Sequence, residues 1–286
     1  MAVGTDIRTD FNGTWHDGDI PIMRAADHGS WLGTTVFDGA RFFDGVSPDL
    51  SAHCDRVNRS AAALMITPTV TTDDMVALVH EGLASYSKDT AVYIRPMYWA
   101  LDGRGTGIVP LPERTGFAIC LEAIPMAAPE VSTTLTTTRF RRPTLDSAVV
   151  NAKAGCLYPN NARMLTEAAS KGYANALVAD ALGNVAETAS ANIFMVRDGE
   201  VLTPVPNGTF LAGITRARHI ANLGADGTPV TETTLSFEDF RAADEVFMSG
   251  NMSKVTPVTE FDGTHYQIGP VTRRVRQMYW DWAHST

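Results

Sequence analysis

The sequence predicts a mixed α/β (α+β) protein of two domains. Three observations lead there. Runs rich in β-branched and aromatic residues alternate with helix-like stretches irregularly, without the even βαβ rhythm of a doubly wound sheet. A Pro/Ala-rich stretch, Pro125-Met126-Ala127-Ala128-Pro129, has linker composition near the middle of the chain. The length of 286 residues exceeds one minimal core. The expected division is a small α/β domain over 1–124, a linker over 125–135 and a larger domain over 136–286.

In chain order, residues 33–43 (GTTVFDGARFF) read as an extended segment broken by glycine, closed by the turn signal Asp44-Gly45. A helix is expected over 51–64 and a second over 72–86, where Thr71, Asp73 and Asp74 suit its start. Residues 91–100 (AVYIRPMYWA) and 116–124 (GFAICLEAI) read as strands. Beyond the Pro/Ala stretch, 131–140 is rich in threonine and β-branched residues. A helix over 160–171 should stop at Gly172. Strands are expected over 174–180, 191–197 and 201–203, joined by the turns Leu182-Gly183-Asn184 and Asp198-Gly199. A helix over 214–223 should end at Gly224. A strand over 244–249 and a terminal helix over 271–282 complete the reading.

Composition excludes several classes of function. Apolar residues are 44% and charged residues 19% of the chain, with a formal net charge of -9. Such an acidic chain is poorly suited to nucleic acid or anionic membranes. The basic cluster Arg139, Arg141 and Arg142 reads as a solvated strand end or an interface. No run approaches the roughly 18 apolar residues of a spanning helix. Residues 1–10 lack the apolar core of a secretion signal. The three cysteines, Cys54, Cys120 and Cys156, are widely spaced and contain no CxxC pair. The seven histidines show no HExxH-type spacing. A cytoplasmic protein without disulfides or a metal site is expected.

Four features could carry chemistry. Lys153 lies in NAKAG, where small neighbours would let a ring-shaped cofactor approach an amine. Glu187 opens ETASANIF: a carboxylate followed by small residues, with Asn192 able to tie the loop. Gly213-Ile214-Thr215-Arg216 starts a helix, whose free N–H groups and positive dipole end suit a phosphate. Arg56 lies in HCDR, three positions from His53 and on the same helical face. Taken singly, each has a plainer reading: a surface lysine, a polar turn, a simple helix start, a surface arginine.

In conjunction and in this order they resemble the class IV aminotransferases, the fold-type IV pyridoxal-phosphate (PLP) enzymes, and most closely their branched-chain branch. The resemblance spans roughly residues 28–278 through GTTVFDGAR, HCDR, YIRP, NAKAG, ALVAD, ETASANIF, LTP, LAGITR, DEVFMSG, TPV and IGPVTRRV. The pattern E-x-x-x-x-N-x-F (Glu187, Asn192, Phe194) is its most specific part. The resemblance implies a two-domain fold-type IV architecture whose C-terminal domain binds the cofactor. It implies Lys153 as the Schiff-base lysine and later the acid/base, and Glu187 as partner of the pyridine nitrogen. Arg56, Ile214 and Thr215 would form the phosphate cup, with Asn192 and Asn251 as further contacts and Tyr158 beside the phenolic oxygen. Phe37, Gly39, Arg41, Tyr93 and Arg95 would line the substrate pocket. It also implies a homodimer or larger assembly, with the loop 102–107 (DGRGTG) lent to the neighbour's site.

The chain departs from the branched-chain pattern at several pocket positions. Asn251-Met252 replaces Thr-Ala. Leu32, preceded by Trp31, replaces a tyrosine. Trp99 stands where the branch carries an aliphatic residue or Phe. Arg41-Phe42-Phe43 is similar to a string in relatives that act on (R)-amines. The resemblance therefore implies an amino donor that is either a branched-chain-type amino acid or an (R)-amine, with 2-oxoglutarate or pyruvate as acceptor. D-amino-acid aminotransferase and aminodeoxychorismate lyase activities are the alternatives on the same fold.

Overall fold

The structure is a computed structural model and describes residues 4–285; the N-terminal reading over 1–10 thus falls partly outside them. The chain forms two compact units. The first holds residues up to 126 together with 151–156, and the second holds 127–150 and 157 onward.

The first unit is built on a six-stranded antiparallel sheet. Its order is Thr14–Asp17, Thr5–Phe11, Thr115–Ala123, Val92–Ala100 and Thr35–Phe37, with Ala40–Phe42 also paired to Val92–Ala100. Helices Leu50–Ala63 and Thr72–Leu83 pack on each other and on this sheet. The second helix starts as its sequence implies: the Thr71 hydroxyl accepts the Asp74 N–H at 3.2 Å, and Asp73 and Asp74 sit in the first turn. Strand Val92–Ala100 alternates. Val92, Ile94 and Tyr98 are buried in the core, and Tyr93, Arg95 and Met97, half-buried, face the other way.

The second unit holds a nine-stranded sheet. Its order is Val185–Thr188, Asn175–Ala179, Thr133–Arg141, Lys254–Phe261, Glu245–Gly250, Asn192–Arg197, Glu200–Pro204 and Val230–Thr233, with Thr264–His265 paired to Lys254–Phe261. Thr133–Arg141 runs parallel to both neighbours. The sheet is buried on both faces. Ile193 and Met195 join Leu135, Leu177 and Phe240 in one core, and Phe194 and Val196 join Phe247, Leu223 and Val275 in another. Helices Ile214–Ala225 and Pro270–Ser285 pack together and on Glu245–Gly250, while Tyr158–Ser170 covers Thr133–Arg141 and Asn175–Ala179.

Three boundaries differ from the sequence reading. Residues 151–156 return to the first unit, because Ala154 bridges to Val36 and the Phe37 N–H donates to the Lys153 carbonyl at 3.1 Å. Strand Thr133–Arg141 begins inside the stretch read as linker, its threonines drawn into parallel pairing. The helix from Ile214 passes through Gly224 and ends at Ala225. Gly172, by contrast, sits just beyond its helix with φ +86°, the left-handed conformation that glycine adopts without strain.

Candidate active site

In the first unit, Lys153 is fixed by its backbone. Its N–H donates to Ser60 Oγ at 3.1 Å and its carbonyl accepts from Phe37. The Lys153 amine lies 4.8 Å from the centre of the Phe37 ring. Gly155 comes so close to Thr35 Oγ1 that a Cβ there would lie 2.3 Å from it, which accounts for the glycine two positions after the lysine.

His53 and Arg56 do share a helix face, and what they share is Asp38. This carboxylate is fully buried. It accepts from His53 Nδ1 at 2.7 Å, from Arg56 Nε at 2.6 Å, from a second Arg56 nitrogen at 2.8 Å and from the Gly39 N–H at 2.7 Å. Burial raises its pKa, but the Arg56 and His53 contacts outweigh that and hold it far below the usual carboxylate range. The bidentate grip fixes the plane of the Arg56 guanidinium. Sequence reading missed Asp38 as a functional residue; the signal was a carboxylate inside the VFDG string facing a basic helix.

An apolar cavity of about 270 Å³ opens in the same unit. Phe37, Arg95 and Trp99 line it, together with Val36, Met97 and Ile22. Arg95 ion-pairs with Glu122 and stacks over the Tyr93 ring, 5.2 Å from its centre. Burial acts against the Arg95 charge, yet Glu122, Tyr93 and Cys120 together raise its pKa above the ordinary value. Trp99 is almost wholly buried, its indole N–H donating to Asp27 at 3.2 Å.

Other pocket candidates lie elsewhere. Gly39 packs under the Tyr93 hydroxyl, where a Cβ would come within 2.2 Å. Arg41 is fully buried and donates to the Ile124 carbonyl, its pKa pulled down to about 10 by burial. Trp31 and Leu32 are exposed on the short helix His28–Leu32. The loop 102–107 carries a small hairpin, Gly103–Arg104 paired with Val109–Pro110.

In the second unit, Glu187 stands on strand Val185–Thr188 and is buried. One oxygen pairs with Arg142 at 2.8 Å and the other accepts from Asn192 Nδ2 at 3.2 Å. Arg142 also donates to the Thr188 carbonyl at 3.0 Å and to Asn161 at 2.7 Å. The solvated reading of the basic cluster therefore holds for Arg139 and Arg141, which are exposed, and fails for Arg142, which is 8% exposed. Nothing in the spacing of three arginines singles out the one that pairs across the sheet. Arg142→Met would leave Glu187 buried without its cation. It is expected to destabilise the protein by roughly 3–5 kcal/mol, with part recovered when Glu187→Gln is added; urea unfolding of both variants measures this.

Asn192 also donates to the Leu211 carbonyl at 3.1 Å and presses on Gly213, where a Cβ would lie 2.0 Å from its oxygen. Gly213 is thereby fixed as the first residue before helix Ile214–Ala225, and no side chain caps that helix start. The N–H groups of its first turn and the Thr215 hydroxyl form a set of donors suited to an anion. Asn251 accepts from Lys254 Nζ at 2.6 Å, while its own side-chain N–H₂ is buried with no protein partner. Met252 is exposed, and Tyr158, the first residue of its helix, is 39% exposed. Among the described residues, no group of three His, Cys, Asp or Glu is arranged to hold a metal ion.

The fold is mixed α/β, with a backbone-anchored lysine in the first unit and a clasped, buried carboxylate in the second. Residues 35–261 match the family described as amino-transferase class IV, and the chain belongs to that family. The branched-chain-amino-acid aminotransferase of Salmonella typhimurium is 31% identical over 285 residues, 94% of this chain and 90% of that protein. A putative branched-chain-amino-acid aminotransferase of Methanocaldococcus jannaschii is 31% identical over 280 residues, covering 94% of both. Among solved structures, an aminotransferase from Brucella abortus bound to PLP is 58% identical with a TM-score of 0.96, covering 97% of this chain and 99% of that one. The branched-chain aminotransferase of Thermoproteus uzoniensis, with norvaline, is 28% identical with a TM-score of 0.86, covering 96% and 93%.

Proposed function

We propose that this class IV aminotransferase uses pyridoxal 5'-phosphate to move an amino group between an amino donor, a branched-chain-type amino acid or an (R)-amine, and a 2-oxo acid such as pyruvate or 2-oxoglutarate. The observation that carries the reading is the buried Glu187 carboxylate clasped by Arg142 and Asn192. A carboxylate held as an anion can only accept, so it suits a ring N–H and keeps the proton on the nitrogen. The other donors fit the cofactor as well: the uncapped helix start at Ile214 and Thr215 and the partnerless Asn251 amide suit a phosphate or carboxylate oxygen.

When bound, the cofactor supplies an aldehyde that captures amines and a cationic ring that accepts an electron pair. The chain does the rest. Lys153 would hold the cofactor through its amine and, once free, would take the proton from the substrate carbon and return it. Arg56, oriented by Asp38, would donate to the phosphate, and so would the helix start at Ile214 and Thr215. Tyr158 serves the ring oxygen. The apolar cavity at Phe37 and Trp99, with Arg95, receives the substrate side chain.

The working form is a cytoplasmic homodimer in this reading, with the loop 102–107 lent to the neighbouring subunit. Exposed Trp31, Ile108 and Val109 around that loop support it, because apolar side chains clustered on a surface favour a partner. No helix among the described residues is long and apolar enough to cross a membrane.

One panel tests the substrate assignment. Purified enzyme is given L-leucine, D-alanine and (R)- and (S)-1-phenylethylamine, each against pyruvate and 2-oxoglutarate. L-leucine or the (R)-amine is expected to be the best donor. D-alanine as best donor would refute the assignment, as would pyruvate release without an amino acceptor, the mark of a lyase.

A further inference from the structure

Glu122 has no part in the roles assigned so far, yet it is 1% exposed and pairs with Arg95, which lines the cavity. It stands on strand Thr115–Ala123 opposite Tyr93, so it lies diagonally beside Arg95, the one charged residue among the described residues that line the 270 Å³ cavity. One oxygen pairs with Arg95 and receives the Cys120 thiol at 3.8 Å; the other accepts the Gly4 N–H at 3.1 Å. The Arg95 side chain retains 28% of its exposure and is shared between this buried acid and the Tyr93 ring. The rest of the lining is mostly apolar, including Val36, Phe37, Met97 and Trp99, with Thr35 adding a hydroxyl.

A lone guanidinium in such a cavity would resist an apolar side chain, because entry strips its water without a partner. It would also welcome a distal carboxylate. The Glu122–Arg95 pair reverses both effects. The pair is neutral as a unit, so an apolar side chain can enter without leaving a charge unpaired. A distal carboxylate must compete with Glu122 for the same guanidinium and lies near a second anion.

We propose that Glu122 is a specificity-determining residue: by neutralising Arg95 it makes this cavity a site for apolar side chains and disfavours those ending in a carboxylate. The proposal rests on the reading that this cavity receives the substrate side chain. It names the preferred substrate class as 2-oxo acids, and their amino acids, with an apolar side chain.

The test compares 4-methyl-2-oxopentanoate and 2-oxoglutarate as acceptors with one common donor, using holoenzyme of the wild type, Glu122→Gln, Glu122→Asp and Arg95→Leu. The wild type is expected to favour 4-methyl-2-oxopentanoate in kcat/KM. Glu122→Gln should lower the KM for 2-oxoglutarate about tenfold, the worth of one charge-assisted hydrogen bond gained, and raise that for 4-methyl-2-oxopentanoate severalfold. Glu122→Asp, with its shorter reach, should move the ratio the same way by less, and serves as the readout if the neutral variant does not fold. Two KM values that move together, or a ratio that stays put, would overturn the proposal, since a merely structural role affects both acceptors alike. If Arg95→Leu leaves both KM values at wild-type levels, the side-chain reading of the cavity itself fails.

Discussion

Lys153→Ala is expected to abolish the near-visible absorbance of the bound cofactor and to lower turnover by roughly 10⁴-fold or more, the upper range for loss of a positioned acid/base. The fold should survive. The segment carrying Lys153 is held through main-chain atoms, to Phe37, Ser60 and Val36, and alanine keeps all of these contacts. Far-UV circular dichroism and the melting temperature should therefore stay close to wild type while the spectrum and rate change. Turnover near the wild-type rate would contradict the role given to the amine.

Glu187→Gln is expected to slow proton removal from the substrate by roughly 10²- to 10³-fold, the scale seen when one preorganised electrostatic contact is removed. The amide keeps the size of the side chain and can still accept from Arg142 or Asn192, so the cofactor should remain bound through the phosphate contacts proposed above. What would be lost is the anion that the proposed function sets against the ring nitrogen. A single-turnover experiment with an α-deuterated donor isolates this step: the isotope effect should persist or grow as the rate falls. An unchanged half-reaction rate would refute the assignment.

Much of this was legible in the sequence, and the reasons are physical. Helices and strands with strong local signals, such as the Thr71 cap with its acidic first turn and the alternation in AVYIRPMYWA, fall within a few residues of their expected places. Strands without such a signal were unread: Thr5–Phe11, Val185–Thr188 and Lys254–Phe261 exist because distant partners pair with them. The same holds for the candidate site. Lys153 and Glu187 stand in motifs that local sequence reveals. Asp38, Arg142 and Glu122 were missed because their meaning lies in contacts to Arg56, Glu187 and Arg95, and no spacing rule encodes a partner on another strand or helix. The domain reading went astray at 151–156 for a related reason: one bridge to Val36 outweighs a sequence position beyond the Pro/Ala stretch.

The most direct test of the central claim is to fix the cofactor covalently with borohydride and map the pyridoxyl label by proteolysis and mass spectrometry. The chain has four lysines, so the answer is discrete: Lys88, Lys153, Lys171 or the buried Lys254. The account predicts label on Lys153 alone. Label on any of the other three, or none, would contradict it.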